Sequence, residues 1–157
     1  MKHDSRSPRT AALAVAALVA LPVAAVAQAP DQAAQTIKYR QAALTLLGWN
    51  ITPIGAMMKG EIPFDAKKVE LHATRLQQVA PMIVEGFPPG TQTGAPNKAK
   101  PEIWSNMDDF KAKAADLEKA TAGLVAAART GDQKQVGQAL GGVGNACKAC
   151  HDSYRAK

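Results

Sequence analysis

The chain has 157 residues, a net charge of +6 and only two cysteines, and 46% of its residues are hydrophobic. This length fits one domain, and two cysteines are too few for a fold held together by disulfides. The basic residues are spread over several segments rather than clustered, which argues against nucleic-acid binding. Beyond residue 27, valine and isoleucine are sparse while alanine, glutamine and lysine are abundant, a composition that favours helices.

The first 27 residues have the layout of a secretory signal peptide. Residues 1–10 carry three basic residues against one acidic residue, and residues 11–27 are apolar and end in an Ala-Val-Ala cleavage site. A transmembrane anchor is the rival interpretation, but this alanine-rich run falls short of the roughly 20 strongly apolar residues that a span needs. We expect cleavage after Ala27 and a periplasmic protein without a membrane anchor. The mature domain, residues 28–157, then has 16 basic and 12 acidic residues, a net charge of +4.

Two long helices are predicted in the first half of the mature chain. The first runs from Asp31, a suitable N-cap, to Met58, with a bend or an early end expected near Thr52 because a proline follows. The second runs from Asp65 to about Glu85 and is expected to kink or shorten at its own internal proline. The apolar line predicted for the first helix comprises Ile37, Leu44, Leu47, Ile51, Ile54 and Met58.

Two further helices follow a long loop at residues 86–100. Pro101 begins the third helix and Gly131 stops it. Asp132, with Gln135 three residues later, resembles a capping box and opens the fourth. Four amphipathic helices with short or medium connections predict an all-α fold, an antiparallel four-helix bundle. The inward side of the fourth helix is predicted to carry Val136, Leu140, Val143, Cys147, His151 and Tyr154.

The only two cysteines, Cys147 and Cys150, precede His151 in a C-x-x-C-H sequence, the attachment signature of c-type haem. The thiols can add to the two vinyl groups of one haem, and the histidine can supply the proximal ligand to iron. A disulfide between cysteines one turn apart would close almost no loop, a thioredoxin-like pair needs a strand context, and a zinc site needs four ligands. We therefore predict one covalently bound haem c on the inward face of the fourth helix.

Three stretches of the sequence together resemble the cytochrome c′ family, the class II c-type cytochromes, over the whole mature length. They are residues 37–44 (IKYRQAAL), residues 101–104 (PEIW) and residues 147–155 (CKACHDSYR). A C-x-x-C-H near the C-terminus rather than near the start is itself typical of this class. The resemblance implies a helical bundle, usually a homodimer through its first two helices, with a five-coordinate high-spin haem that binds nitric oxide and carbon monoxide.

The resemblance also implies roles for individual residues. His151 would be the only protein ligand to iron, and Leu44 would cover the opposite, distal face, where six-coordinate relatives carry methionine. Arg40 would lie near the haem propionates and Arg155 beside the proximal histidine. From the sequence pattern alone, Leu44 is a core leucine and both arginines are equally consistent with solvated side chains. Trp104 either lines the haem edge or anchors the long loop, and the pattern leaves both open.

Other candidate iron ligands are better explained without haem. Met58 and Met107 fall on apolar lines, whereas His72 lies off the line of the second helix and is interpreted as solvated. The remaining methionines of the mature chain are Met57 and Met82.

Two functions from different classes remain open. One is capture of nitric oxide and carbon monoxide at an open iron, and the other is one-electron transfer between periplasmic redox partners in a respiratory or denitrification chain. The lack of a methionine ligand argues modestly against a dedicated electron carrier. Leu44 offers no acid–base group for peroxide cleavage, so we do not expect an enzyme.

Overall fold

The computed structural model describes residues 30–157, so the predicted signal peptide lies outside the described residues. Within that range no helix is both long and apolar enough to cross a membrane. The six helices are α1 (Pro30–Met58), α2 (Ala66–Val79), α3 (Met82–Glu85), α4 (Glu102–Ser105), α5 (Met107–Thr130) and α6 (Gln133–Tyr154).

The four long helices form the predicted antiparallel bundle. The packing of α5 against α6 is the most extensive contact, followed by α2 against α5 and α1 against α2. By contrast, α1 contacts α6 only sparsely, although the two are neighbours around the bundle. The all-α four-helix fold is therefore confirmed, and the bundle is least closed between its first and last helices.

The expected early end of the first helix is wrong, because α1 continues to Met58 with Pro53 inside it. A proline within a helix removes the hydrogen bond to the carbonyl four residues earlier, here that of Trp49. The loss of this one hydrogen bond does not end the helix. The nearby Thr52 hydroxyl also donates to the Gly48 carbonyl at 2.8 Å.

Two of the predicted helices are each divided in two. The second ends at Val79, and Pro81 then stands at the start of the short α3, which confirms the expected shortening. The third is interrupted at Asn106, whose φ of −128° and ψ of 45° are not helical. The Asn106 carbonyl accepts from the amide of Phe110, and it lies 3.4 Å from the hydroxyl of Tyr154, which donates its one proton to Asp109. The break lies where the end of α6 approaches this helix, 48 residues away in sequence, and local spacing did not indicate it.

The predicted boundary between the last two helices is confirmed. Gly131 adopts a left-handed conformation with φ of 72° and ends α5, a conformation that costs glycine little. The Asp132 carboxylate then accepts from the amides of Lys134 and Gln135 at the start of α6. The Gln135 side chain donates to that same carboxylate, whereas the Asp132 amide donates to the Thr130 hydroxyl instead of to the Gln135 side-chain oxygen. Only half of the capping box therefore forms.

The core runs along the inner faces of α1, α2, α5 and α6. On α1 the buried methionine is Met57, whereas Met58, which the apolar line included, is only half-buried. The largest fully buried apolar side chains outside α1 are Val69, Leu76, Ile103, Phe110, Leu124, Val136 and Val143.

The loop at residues 86–100 is held against α1 by a very close backbone approach. A Cβ atom built at Gly86 would lie 2.5 Å from the Cβ of Arg40 and 3.2 Å from its Cα. Real side chains do not tolerate such distances, so this crossing requires glycine. The neighbouring Thr91 is fully buried, and its hydroxyl donates to the Pro88 carbonyl at 2.8 Å.

We expect Gly86→Ala to lower the free energy of unfolding by about 1 to 3 kcal/mol, the usual cost of overpacking a well-packed site. Chemical denaturation followed by circular dichroism measures this change. Gly123→Ala is the matched control, because no atom lies within 4 Å of a Cβ atom at that position in α5. There, replacing a mid-helix glycine should stabilise the protein by about 0.5 to 1 kcal/mol. Equal effects of the two substitutions would contradict the close crossing.

Candidate haem-attachment site

The last turns of α6 carry the two cysteines. Cys147 and Cys150 are both half-buried, and both are free thiols. Burial raises the pKa of each thiol, and for Cys150 the neighbouring Cys147 raises it further. Within residues 30–157 no group of three or more His, Cys, Asp or Glu side chains could hold a metal ion on its own. The disulfide and the zinc site therefore have no support in the part of the chain that the structure describes.

His151 follows the cysteines and has an exposed side chain. Desolvation where the ring meets the protein, and then the charge of Arg155, lower the pKa of His151. Both effects favour the neutral imidazole, the form that coordinates metals. Its exposure differs from the expected inward position, because in the described residues no protein element covers it.

Leu44 on α1 is also less covered than its position predicts. Ile37, Leu47 and Ile51 lie seven before, three after and seven after it, so all four share one face of the helix. Ile37 is completely buried, and the other two pack against the core, yet Leu44 remains 41% exposed. Protein side chains alone therefore leave part of this core-facing leucine uncovered. Leu44 therefore exposes apolar surface on α1, the helix that contacts α6 only sparsely.

One turn before Leu44, Arg40 is only 2% exposed. One terminal nitrogen of its guanidinium donates to the Thr91 carbonyl at 2.9 Å, and the other makes longer contacts of 3.4 Å with the Gly86 carbonyl and the Thr91 hydroxyl. The guanidinium also lies over the rings of Phe87 and Trp104, at 4.8 Å and 5.5 Å from their centroids.

Within the described residues no carboxylate pairs with Arg40. Burial lowers its pKa, but a guanidinium keeps its charge in proteins. A buried cation that contacts only neutral oxygens and aromatic rings has not recovered the solvation it lost. The site therefore fits an anionic group, such as a haem propionate, beside Arg40.

Trp104 anchors the loop, one of the two roles that the sequence left open. It is half-buried, and its indole nitrogen donates to the Pro88 carbonyl at 3.0 Å. Its ring packs against Phe87 with centroids 5.8 Å apart, and Phe87 packs on Phe110 at 4.8 Å. Sequence analysis missed Phe87, because it lies in a loop without periodicity.

Arg155 lies close to His151, as the resemblance implied. It caps the C-terminus of α6 and forms an isolated antiparallel bridge with Ala99. Both Arg155 and His151 border a surface cavity of about 450 Å³. The other lining residues are Lys98, Lys100, Asp152, Ala156 and Lys157.

A second feature that sequence analysis missed fixes the end of α6. Tyr154 is buried, and its hydroxyl donates to the carboxylate of Asp109 on α5. This hydrogen bond is the largest cause that raises the pKa of Tyr154 to about 12 and lowers that of Asp109. The Tyr154 ring also meets Phe110 edge to face, with centroids 5.4 Å apart. Because Tyr154 comes three residues after His151, these contacts hold the histidine's turn of helix in place.

Two alternative iron ligands, His72 and Met58, contact other parts of the protein. The Nδ1 atom of His72 lies 3.0 Å from the buried side-chain oxygen of Asn50, which joins α2 to α1. A Cβ atom at Gly137 would lie 3.7 Å from the sulfur of Met58. Gly137 comes 14 residues before His151, which corresponds to about 21 Å along α6. The Met58 sulfur beside Gly137 is therefore far from the haem-attachment end of that helix.

The chain is similar to known proteins over most of its length. The sequence model of the family described as Cytochrome C′ matches residues 35–155. A cytochrome c′ from Rubrivivax gelatinosus is 39% identical over 121 residues, which cover 77% of this chain and 94% of that protein. A cytochrome c-556 from Agrobacterium tumefaciens (strain B2A) is 40% identical over 121 residues, which cover 77% and 97%.

Solved structures are similar over the same region. The crystal structure of the R. gelatinosus cytochrome c′ has a TM-score of 0.75 at 38% identity and covers 82% of this chain and 98% of that chain. A nitric oxide complex of a variant of cytochrome c prime from Alcaligenes xylosoxidans has a TM-score of 0.72 at 37% identity, with coverage of 82% and 97%.

Proposed function

The chain belongs to the cytochrome c′ family, and we propose that it holds one covalently attached haem c and binds nitric oxide and carbon monoxide at an open coordination position. Cys147 and Cys150 each add a thiol across one vinyl group, which forms two thioether bonds. Neutral His151 supplies the only protein ligand to iron. When bound, the haem provides an iron that coordinates a diatomic ligand.

The observation that carries this proposal is Leu44. It occupies a core-facing position on α1 and still keeps 41% of its surface exposed, so a cofactor between α1 and α6 would cover it. A leucine side chain has no atom that coordinates iron, so the distal position stays open to small ligands. The nitric oxide complex among the structural neighbours supports this class of ligand.

Arg40 supplies a positive charge that complements the negative charge of a haem propionate. Its buried guanidinium lies one helical turn from Leu44 and has no carboxylate partner among the described residues. We assign it to a haem propionate, which would neutralise the buried charge and tie the cofactor to the loop at residues 86–100. Arg155 lies beside the proximal histidine, and Trp104 supports the site through the loop that it anchors.

The attachment and the compartment are tested together by intact-mass spectrometry of the native protein after denaturation. We expect the mass of residues 28–157 plus one haem, because thioether bonds survive unfolding and the signal peptide is removed in export to the periplasm. A haem-free chain with two thiols would contradict the attachment. A chain that begins at Met1 would contradict the periplasmic location.

One-electron transfer is the second candidate function, and the position of the attachment motif favours it. His151 is exposed, and both cysteines are only half-buried, so a partner protein can approach this end of α6 closely. Neither function makes the protein an enzyme, since Leu44 brings no acid or base to the distal side.

We also propose that the protein is a homodimer through α1 and α2. Leu46 and Trp49 on α1 and Leu71 on α2 are exposed by 47%, 73% and 49%. The contact between His72 and Asn50 joins the two helices at the residues next to Leu71 and Trp49. Large apolar side chains gathered on one face of a soluble protein are typical of an interaction surface.

Trp49→Lys should therefore convert the dimer to a monomer, because it places a charge at the centre of the apolar face. Sedimentation velocity on the holoprotein measures the change, and Trp49→Phe, which keeps an apolar ring, should remain dimeric. A parent protein that sediments as a monomer would refute the dimer.

A further inference from the structure

The wall of the cavity beside His151 is formed by two chain segments that are far apart in sequence. The Lys100 amide donates to the Tyr154 carbonyl at 3.0 Å, and the Ala156 amide donates to the Lys98 carbonyl at 2.8 Å. These two bonds flank the antiparallel bridge between Ala99 and its partner at the end of α6. They bring together the four cations that we call the basic wall: Lys98, Lys100, Arg155 and Lys157.

The basic wall is not neutralised within the described part of the chain. None of its four cations forms an ion pair there, whereas cations elsewhere do, for example Lys113 with Asp109 and Arg129 with Glu70. The one acidic side chain that lines the cavity, Asp152, pairs with Lys148 one turn earlier in α6. The Lys100 ammonium points to the Asp152 and Ser153 carbonyls at 3.4 Å and 3.2 Å, and its positive charge remains.

We propose that the basic wall is the docking surface for an acidic electron-donor protein. This inference rests on the proposed haem site, because a donor must approach the cofactor and His151 shares the cavity with all four cations. Carbon monoxide binds ferrous rather than ferric haem, so a gas-binding protein also needs a source of electrons. In the transfer one electron leaves the donor and reduces ferric iron to ferrous. A cluster of unpaired cations attracts an acidic partner and speeds its association.

The location of the docking surface is tested by zero-length carbodiimide cross-linking of the holoprotein to an acidic flavodoxin at low ionic strength. The reagent joins lysine amines to carboxylates that are in contact. We expect peptide mapping to find amide bonds at Lys98, Lys100 or Lys157, and to lose them at high salt. Cross-links that are equally frequent at lysines over the whole surface would refute a defined docking site.

A matched pair of double variants separates local from overall charge. Lys98→Glu/Lys157→Glu reverses two charges in the basic wall. Lys67→Glu/Lys134→Glu makes the same change in net charge with two exposed lysines at the opposite end of the bundle. Lys134 precedes His151 by 17 residues in α6, about 25 Å along the helix. Lys67 lies at the same end as Lys134. Glu70, near the start of α2, forms an ion pair at 2.9 Å with Arg129, which lies in the last turn of α5 just before α6 begins.

Stopped-flow measurement of haem reduction by flavodoxin hydroquinone then gives the second-order rate constant for each protein. Electrostatic steering changes such constants by about 10-fold or more, so we expect at least a tenfold loss for Lys98→Glu/Lys157→Glu and less than a twofold loss for the control. Equal losses would show that net charge alone matters and would overturn the proposal. A protein that holds no haem would instead lack the Soret band, which refutes the proposed function and is visible before any kinetics.

Discussion

Leu44→Ala is expected to raise the association rate constants of carbon monoxide and nitric oxide by about 10- to 100-fold. In the holoprotein an entering ligand must push Leu44 aside, and displacing a packed side chain costs about 1 to 3 kcal/mol. Each 1.36 kcal/mol removed from a barrier is worth about a factor of ten in rate. Stopped-flow mixing of the ferrous protein with each gas measures the change. Unchanged rates would show that Leu44 does not cover the distal face.

Leu44→Met provides the complementary test at the same position. Methionine has nearly the volume of leucine, and its flexible chain ends in a thioether. If Leu44 lies over the iron, this sulfur should coordinate, and the ferrous spectrum should shift from high-spin to six-coordinate low-spin. Carbon monoxide would then have to displace the sulfur and would bind more slowly than to the parent. A spectrum identical to that of the parent would place residue 44 away from the iron.

His151→Ala is expected to abolish the histidine-ligated spectrum while the haem stays attached. Cys147 and Cys150 still form thioether bonds, so the denatured variant should keep the mass of one haem. The iron loses its only protein ligand, and added imidazole should restore much of the parent spectrum. Absorption spectra of the ferric and ferrous forms, with and without imidazole, measure both effects.

His72→Ala is the matched control for the loss of an imidazole. Its ring contacts the Asn50 side chain at 3.0 Å, so the substitution should lower stability by about 1 kcal/mol, the usual value of one hydrogen bond. The haem spectrum should not change. If His72→Ala alters the haem spectrum and His151→Ala does not, then His72 rather than His151 is the iron ligand.

Helical periodicity and capping residues were sufficient to predict the bundle. Gly131 and Asp132 end and begin helices by local conformation and local hydrogen bonds, which neighbouring residues determine. The break at Asn106 instead involves a contact with Tyr154, and local patterns do not contain it. Of the bend or early end predicted near Thr52, the early end is wrong, because α1 continues through Pro53 to Met58 despite the hydrogen bond that the proline removes.

The attachment motif was likewise evident from the sequence, but its surroundings were not. The cysteines and the histidine are contiguous, so their spacing alone indicates the chemistry. The burial of Arg40 depends on Gly86 and Thr91, which lie 46 and 51 residues away in an irregular loop. The basic wall likewise exists only because residues 98–100 pair with the end of α6. Contacts of this range require the tertiary structure.

The central claim, that His151 is the only protein ligand to iron, is tested most directly by the absorption spectrum of the ferrous parent protein before and after carbon monoxide is added. The proposed site predicts a five-coordinate high-spin spectrum that converts completely to a six-coordinate low-spin carbon monoxide complex. A low-spin six-coordinate spectrum before any gas is added would contradict it. A side chain such as Met57, Met82 or Met107 would then occupy the position that the proposal leaves open, and electron transfer would become the better account of the protein.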